Sequence, residues 1–117
     1  MKVIVKPWGK ETIWFKSGNI QFKTLHIRKG EETSLQYHKN KTETIIPLDD
    51  NCILEYRGKI GEYSLIKKVN IGKGETHLIT SGYVHRFIAV EKDTVLAELG
   101  AGLDSDIVRL EDKYKRK

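Results

Sequence analysis

Apolar and polar residues alternate in short bursts along this 117-residue chain, and turn-forming clusters interrupt them at spacings of about ten. The turn clusters are Ser17-Gly18-Asn19, Lys29-Gly30, Asp49-Asp50-Asn51, Arg57-Gly58, Gly72-Lys73-Gly74, Ser81-Gly82 and Gly100-Ala101-Gly102. Between them, segments rich in Ile, Val, Thr, Tyr and Phe predict strands near 3–5, 11–15, 20–27, 33–38, 43–48, 52–56, 62–69, 75–79, 85–90 and 94–99. Residues 103–114 take either a short helical turn or one further strand. No stretch repeats apolar residues at three and four positions, so no long helix is expected. Many short strands predict an all-β sandwich or barrel. Within 20–27, Gln21, Lys23, Leu25 and Ile27 form one row and Ile20, Phe22, Thr24 and His26 the other. Both rows mix polar with apolar, which suits a barrel holding a polar pocket better than a plain sandwich.

The chain length suits one domain, 1–117, and no linker or repeat divides it. At 38% hydrophobic and 32% charged residues, the composition is that of a soluble globular protein. Met1-Lys2-Val3-Ile4-Val5-Lys6 is too short for a signal peptide or membrane span, and a cytoplasmic location is the expectation. The single Cys52 has no internal disulfide partner and reads as a small buried hydrophobe. The net charge of +5 comes partly from the tail, Lys113-Tyr114-Lys115-Arg116-Lys117. No zinc-finger spacing or RNA-binding aromatic motif accompanies it, so no nucleic acid is expected, whereas a small anionic substrate fits the balance.

Chemistry concentrates between Ser34 and Glu43. On a strand, Ser34, Gln36 and His38 share one face. Glu43 follows His38 at five residues, which lets a turn return a carboxylate to the same spot. Imidazole, amide oxygen and carboxylate are ligand types of divalent metals. His85, after the turn at Ser81-Gly82, is the candidate fourth ligand. His26 and His77 are read as ordinary hydrogen-bonded side chains.

The spacing joins these residues into two motifs. Gly30, five residues, Gln36, one, His38, four and Glu43 make the first; Gly74, five, Thr80, one, Gly82, two and His85 make the second. Together they resemble the paired motifs of the cupin superfamily, which are metal-holding jelly-roll barrels. Gln36 stands at the first histidine position, as in phosphomannose isomerases of that superfamily. Nearly the whole chain is similar to the C-terminal isomerase domain of the type II phosphomannose isomerase/mannose-1-phosphate guanylyltransferases. The likeness runs through Lys6-Pro7-Trp8-Gly9, Phe22-Lys23, Ser34-Leu35-Gln36-Tyr37-His38, Gly82-Tyr83-Val84-His85-Arg86 and the stretch Ser105 to Tyr114. That last stretch is absent from cupins in general. The chain departs from the type II pattern at Asn40, Thr44 and Ile45, where two histidines and a tryptophan stand in the family, and at Thr80 and Ala89 in the second motif.

The resemblance implies a jelly-roll cupin with one divalent ion (zinc foremost, with manganese, iron, cobalt and nickel open) on Gln36, His38, Glu43 and His85. It implies isomerisation of mannose 6-phosphate and fructose 6-phosphate through a cis-enediol, and a homodimer. Lys41 and Arg86 are the charged catalytic candidates. Arg86 follows a ligand directly, so on a regular strand it points to the opposite face. It reaches substrate only where the backbone bends, and otherwise makes an outer salt bridge. Lys41 lies on the loop between ligands, where a solvated lysine is the alternative. Ser34 is a candidate for phosphate, and the likeness alone carries Lys23 and Arg109 as substrate-binding residues. Trp14 and Phe15 pack in the barrel or at a subunit contact. The altered 40–45 segment keeps two alternatives open: a non-catalytic sugar-binding module, and another cupin enzyme such as a nucleotide-sugar epimerase or an oxygenase.

Overall fold

Eleven strands account for the regular structure in a computed structural model that describes residues 1–61, 66–102 and 106–115. They are β1 (Lys2–Lys6), β2 (Gly9–Ser17), β3 (Ile20–Ile27), β4 (Leu35–His38), β5 (Thr42–Pro47), β6 (Cys52–Lys59), β7 (Lys67–Ile71), β8 (His77–Ile79), β9 (Tyr83–Ala89), β10 (Thr94–Ala101) and β11 (Ile107–Glu111). The predicted strand near 62–69 lies partly outside the described residues, as do 103–105 and the end of the basic tail. The ambiguous stretch after Gly102 resolves into β11.

Six strands form one sheet in the order β1-β2-β3-β10-β5-β8, and five form another in the order β11-β4-β9-β6-β7. Every pairing is antiparallel. Their inner faces meet over a core that includes Leu25, Ile27, Ile45, Leu54, Ile71, Phe87 and Leu96. Each fully buried aliphatic side chain there contributes about 1.5–3 kcal/mol relative to exposure. The mixed row of β3 faces inward: Gln21 and Lys23 are buried beside Leu25 and Ile27. A polar stripe therefore runs along the inside of the barrel, next to the apolar core.

Two predicted turns are strand instead. Arg57-Gly58 lies within β6, where the register against β9 shifts between Tyr56 and Gly58, so glycine marks a bulge. Gly100 and Ala101 lie within β10, where Gly100 makes room for a buried side chain described below. Trp14 and Phe15 are 52% and 55% exposed, outside the barrel, and the Trp14 indole donates to Thr24 Oγ1 at 3.0 Å.

The segment between β1 and β2 packs tightly. Trp8 is buried in the core, its carbonyl accepts from Arg28 N, and a Cβ on Gly9 would stand 1.7 Å from the His26 carbonyl oxygen. Cys52 is buried, and desolvation pushes its thiol up to about 12, so it is inert near neutral pH. Among the described residues no helix is long and apolar enough to cross a membrane.

Candidate active site

Strand register gathers the site. Arg109 of β11 lies opposite Gln36 of β4, Gln36 opposite His85 of β9, and His85 opposite Tyr56 of β6. Directly paired residues share a sheet face, so all four project inward. From the other sheet, Glu43 of β5 brings its Oε1 to 3.2 Å from His85 Nε2. Gln36, His38 and Glu43 line one cavity of about 190 Å³, together with Lys23, Glu98 and Arg109.

Both imidazoles are oriented from behind. His38 Nδ1 lies 2.7 Å from Asp106 Oδ1, and His85 Nδ1 lies 2.9 Å from the Tyr83 carbonyl oxygen. An ionised carboxylate and a carbonyl only accept, so each Nδ1 carries a proton. Nε2 of neutral His38 is left with its lone pair, whereas Nε2 of His85 faces the Glu43 carboxylate. Asp106 also accepts from the backbone N–H groups of Asn40 and Lys41, at 2.6 and 2.8 Å. These bonds hold its carboxyl below the usual range against the opposing effect of burial. Burial lowers His38 below its ordinary value, with Glu43 and Asp106 opposing, so the ring is neutral at neutral pH.

A string of ionisable groups runs across the six-stranded sheet. Lys41 Nζ reaches Glu43 Oε2 at 3.3 Å and Glu98 Oε1 at 2.6 Å. Lys23 Nζ lies 3.6 Å from Glu98 and 2.9 Å from Glu11, and Lys6 lies 3.6 Å from Glu11. Lys41 is 1% exposed, and a Cβ on Gly100 would come within 2.5 Å of its Cε, so this ammonium fits only beside a glycine. Burial alone would raise Glu43, but hydrogen bonds to His85 and Glu98 and the nearby positive charges hold it well below the usual carboxylate range. Burial and the Glu43 charge push Glu98 up to about 8, against the pull of Lys23 and Lys41. Two linked carboxyl groups with opposed pKa shifts make one a standing anion and the other a proton carrier.

The predicted residues separate accordingly. Gln36, His38, Glu43, Lys23 and Arg109 line the cavity, and His85 and Lys41 reach it through Glu43. Ser34 Oγ donates to Gln36 Oε1 at 2.6 Å, so the hydroxyl serves to orient the amide. Lys41 is buried in the site and is not a solvated loop lysine. Arg86 is elsewhere: it pairs with Glu55 at 3.1 Å and Glu32 at 3.2 Å, on the face opposite His85. The backbone does not bend to bring it in, and of its two predicted positions it takes the outer salt bridge.

Glu98, Glu11 and Lys6 were not singled out from sequence, and Asp106 appeared there only inside a motif. The available signal for Glu98 was a lone carboxylate in the apolar strand Val95-Leu96-Ala97-Glu98-Leu99. The donor types and the His38 tautomer fit a divalent ion. Among the described residues, however, no three His, Cys, Asp or Glu side chains are gathered around one point. Glu43 is shared between His85 and Lys41 instead.

No family model matches the chain. It is 24% identical over 114 residues to the mannose-1-phosphate guanylyltransferase ManC of Salmonella typhimurium, covering 97% of this chain and 23% of that protein. The chain thus spans about a quarter of that curated relative's length. Among solved structures it is similar to the capsular polysaccharide assembling protein CapF of Staphylococcus aureus, with TM-score 0.82 at 18% identity, over 95% of this chain and 34% of CapF. It is also similar to a Klebsiella pneumoniae protein with a double-stranded β-helix domain, with TM-score 0.66 at 14% identity, over 87% and 84% of the two chains. The fold is a double-stranded β-helix, and the likeness to ManC extends over nearly the whole chain.

Proposed function

We propose that this cupin-fold chain is a metal-dependent sugar-phosphate isomerase, with mannose 6-phosphate and fructose 6-phosphate as its substrate pair. The observation that carries this reading is the buried Glu43 carboxylate, held between His85 and Lys41 beside a cavity with Lys6, Lys23 and Arg109 in its walls. With Glu98 protonated, the cationic side chains of the site outnumber the ionised glutamates Glu11 and Glu43, which favours a phosphate dianion. The name of the curated relative points to a sugar phosphate of similar size.

Aldose–ketose isomerisation moves a proton between adjacent carbons and builds negative charge on oxygen. Gln36, His38, Glu43 and His85 would hold the divalent ion, which when bound orients substrate oxygens and acts as a Lewis acid. Lys41 supplies an ammonium beside Glu43 and Glu98, placed to stabilise developing negative charge where water is excluded. Glu98 lines the cavity, holds a proton around neutral pH and is placed to pass it to a substrate oxygen, the carboxylate left behind being paired by Lys41 and Lys23. Lys6 and Arg109 are assigned to the phosphate, and Lys23, held between Glu11 and Glu98, keeps that wall in place.

The test is interconversion of the two hexose phosphates by purified protein, with added zinc or manganese and with chelator. Turnover lost on chelation and in Glu43→Ala is expected; folded, metal-loaded protein that turns over no hexose phosphate would overturn the reading. The engagement of Glu43 by Lys41 favours one second reading, a sugar-binding module without catalysis. Calorimetric binding of mannose 6-phosphate without turnover would decide for it.

A further inference from the structure

A second cavity, of about 460 Å³, lies between edge strand β8 of one sheet and strands β6 and β9 of the other. His85 lines this cavity, whereas its partner Glu43 lines the first, so their contact forms part of the wall between them. The two spaces differ in chemistry. The first is walled by ammonium, guanidinium and carboxylate groups. The second presents Tyr56, Tyr83, His77, Thr76 and Thr80 over an aliphatic floor, and among the described residues no Lys, Arg, Asp or Glu lines it, the nearby Lys67 ammonium lying 5.9 Å from the Tyr56 ring centroid.

That lining restricts what fits. An ionised ligand would lose hydration without gaining a counter-charge from the wall. A purely apolar ligand would leave hydroxyl groups and ring nitrogens without partners. His77 Nε2 is already buried without a hydrogen-bond partner among the described residues, and Glu75 stands 3.5 Å from it. Two tyrosines offer flat apolar faces with a polar edge, which suit a ring with C–H faces and a hydroxyl rim. The volume lies within the usual range of about 300–1,000 Å³ for small-molecule sites.

We infer that the cavity bounded by Tyr56, His77 and Tyr83 binds an uncharged sugar ring, separately from the charged cavity beside Glu43. This inference does not rest on the isomerase reading, and an inactive protein would leave it standing.

The test is a titration of the full ¹⁵N-labelled chain with methyl α-mannopyranoside, to about 50 mM because neutral sugars bind weakly, followed by amide shifts. Saturable shifts at Tyr56, His77 and Tyr83, with Lys23, Gln36 and Arg109 unmoved, are expected. Tyr83→Ala and His77→Ala should each weaken binding at least about fivefold, roughly 1 kcal/mol, while the remaining spectrum keeps its pattern. The inference is overturned by the absence of saturable shifts, or by shifts confined to the charged cavity. It is overturned equally if mannose 6-phosphate or guanosine shifts the same three residues at lower concentration than the glycoside.

Discussion

His38 and Asp106 are 68 residues apart in the chain and 2.7 Å apart in space. One carboxylate oxygen fixes the imidazole, and the other takes the two N–H groups that begin the loop carrying Lys41. Asp106→Ala should therefore release ring and loop together, at a cost of about 1–3 kcal/mol in urea denaturation. Nitrogen-15 spectra should show His38 losing its single tautomer. Asp106→Asn, which keeps one acceptor oxygen, should fall between the two.

Lys41 holds two buried carboxyl groups at once. Lys41→Met leaves Glu43 without its ammonium and should destabilise the fold by about 3–5 kcal/mol. Gly100→Ala tests the same contact from the other side, because the new methyl collides with Lys41 Cε. It should cost about 1–3 kcal/mol and should reduce any turnover, although Gly100 bears no functional group.

Glu98 titrates near 8 in the fold against 4.5 in the unfolded chain, so the fold holds its proton more tightly. Its contribution is full below the unfolded value and is lost as pH rises to about 8. Glu43 is shifted the other way, and its contribution is complete above 4.5. Neutral His38 contributes fully above 6.5. Between pH 6.5 and 8 the Glu98 effect is left alone, and stability should decline as pH rises. Denaturant midpoints across that window check this, and Glu98→Gln should flatten the slope.

Arg86 and His85 are neighbours in sequence with opposite expected phenotypes. Arg86→Ala removes a partner of buried Glu55, which keeps Arg57 and Lys68, and should cost about 1–2 kcal/mol. Metal affinity and turnover should be unchanged. His85→Ala should instead lower zinc affinity measured by calorimetry by at least about tenfold.

Strand alternation carried most of the fold. The mixed row Gln21-Lys23-Leu25-Ile27 already indicated a barrel with a polar interior, and it does face inward. Alternation also gave the shared face of Gln36 and His38, because period two is a local property. Glu98 was hidden because nothing local marks it. Its meaning comes from lying opposite Lys23 across β3 and β10, a register decided by the whole sheet. Lys41 was ambiguous for a similar reason: a lysine beside a turn is usually solvated, and only Gly100, far along the chain, makes a berth for it. Arg57-Gly58 read as a turn because glycine marks bulges and turns alike.

The run Lys6, Glu11, Lys23, Glu98, Lys41, Glu43, His85 alternates in charge type, each member touching the next, from a half-buried lysine to a fully buried histidine. Its interior members each lean on two neighbours, so removing any one leaves both without that partner. Inheritance along this line should accordingly be conservative, and where it changes, the exchange should come in tandem, a lysine traded for an apolar residue only as a facing glutamate is traded too.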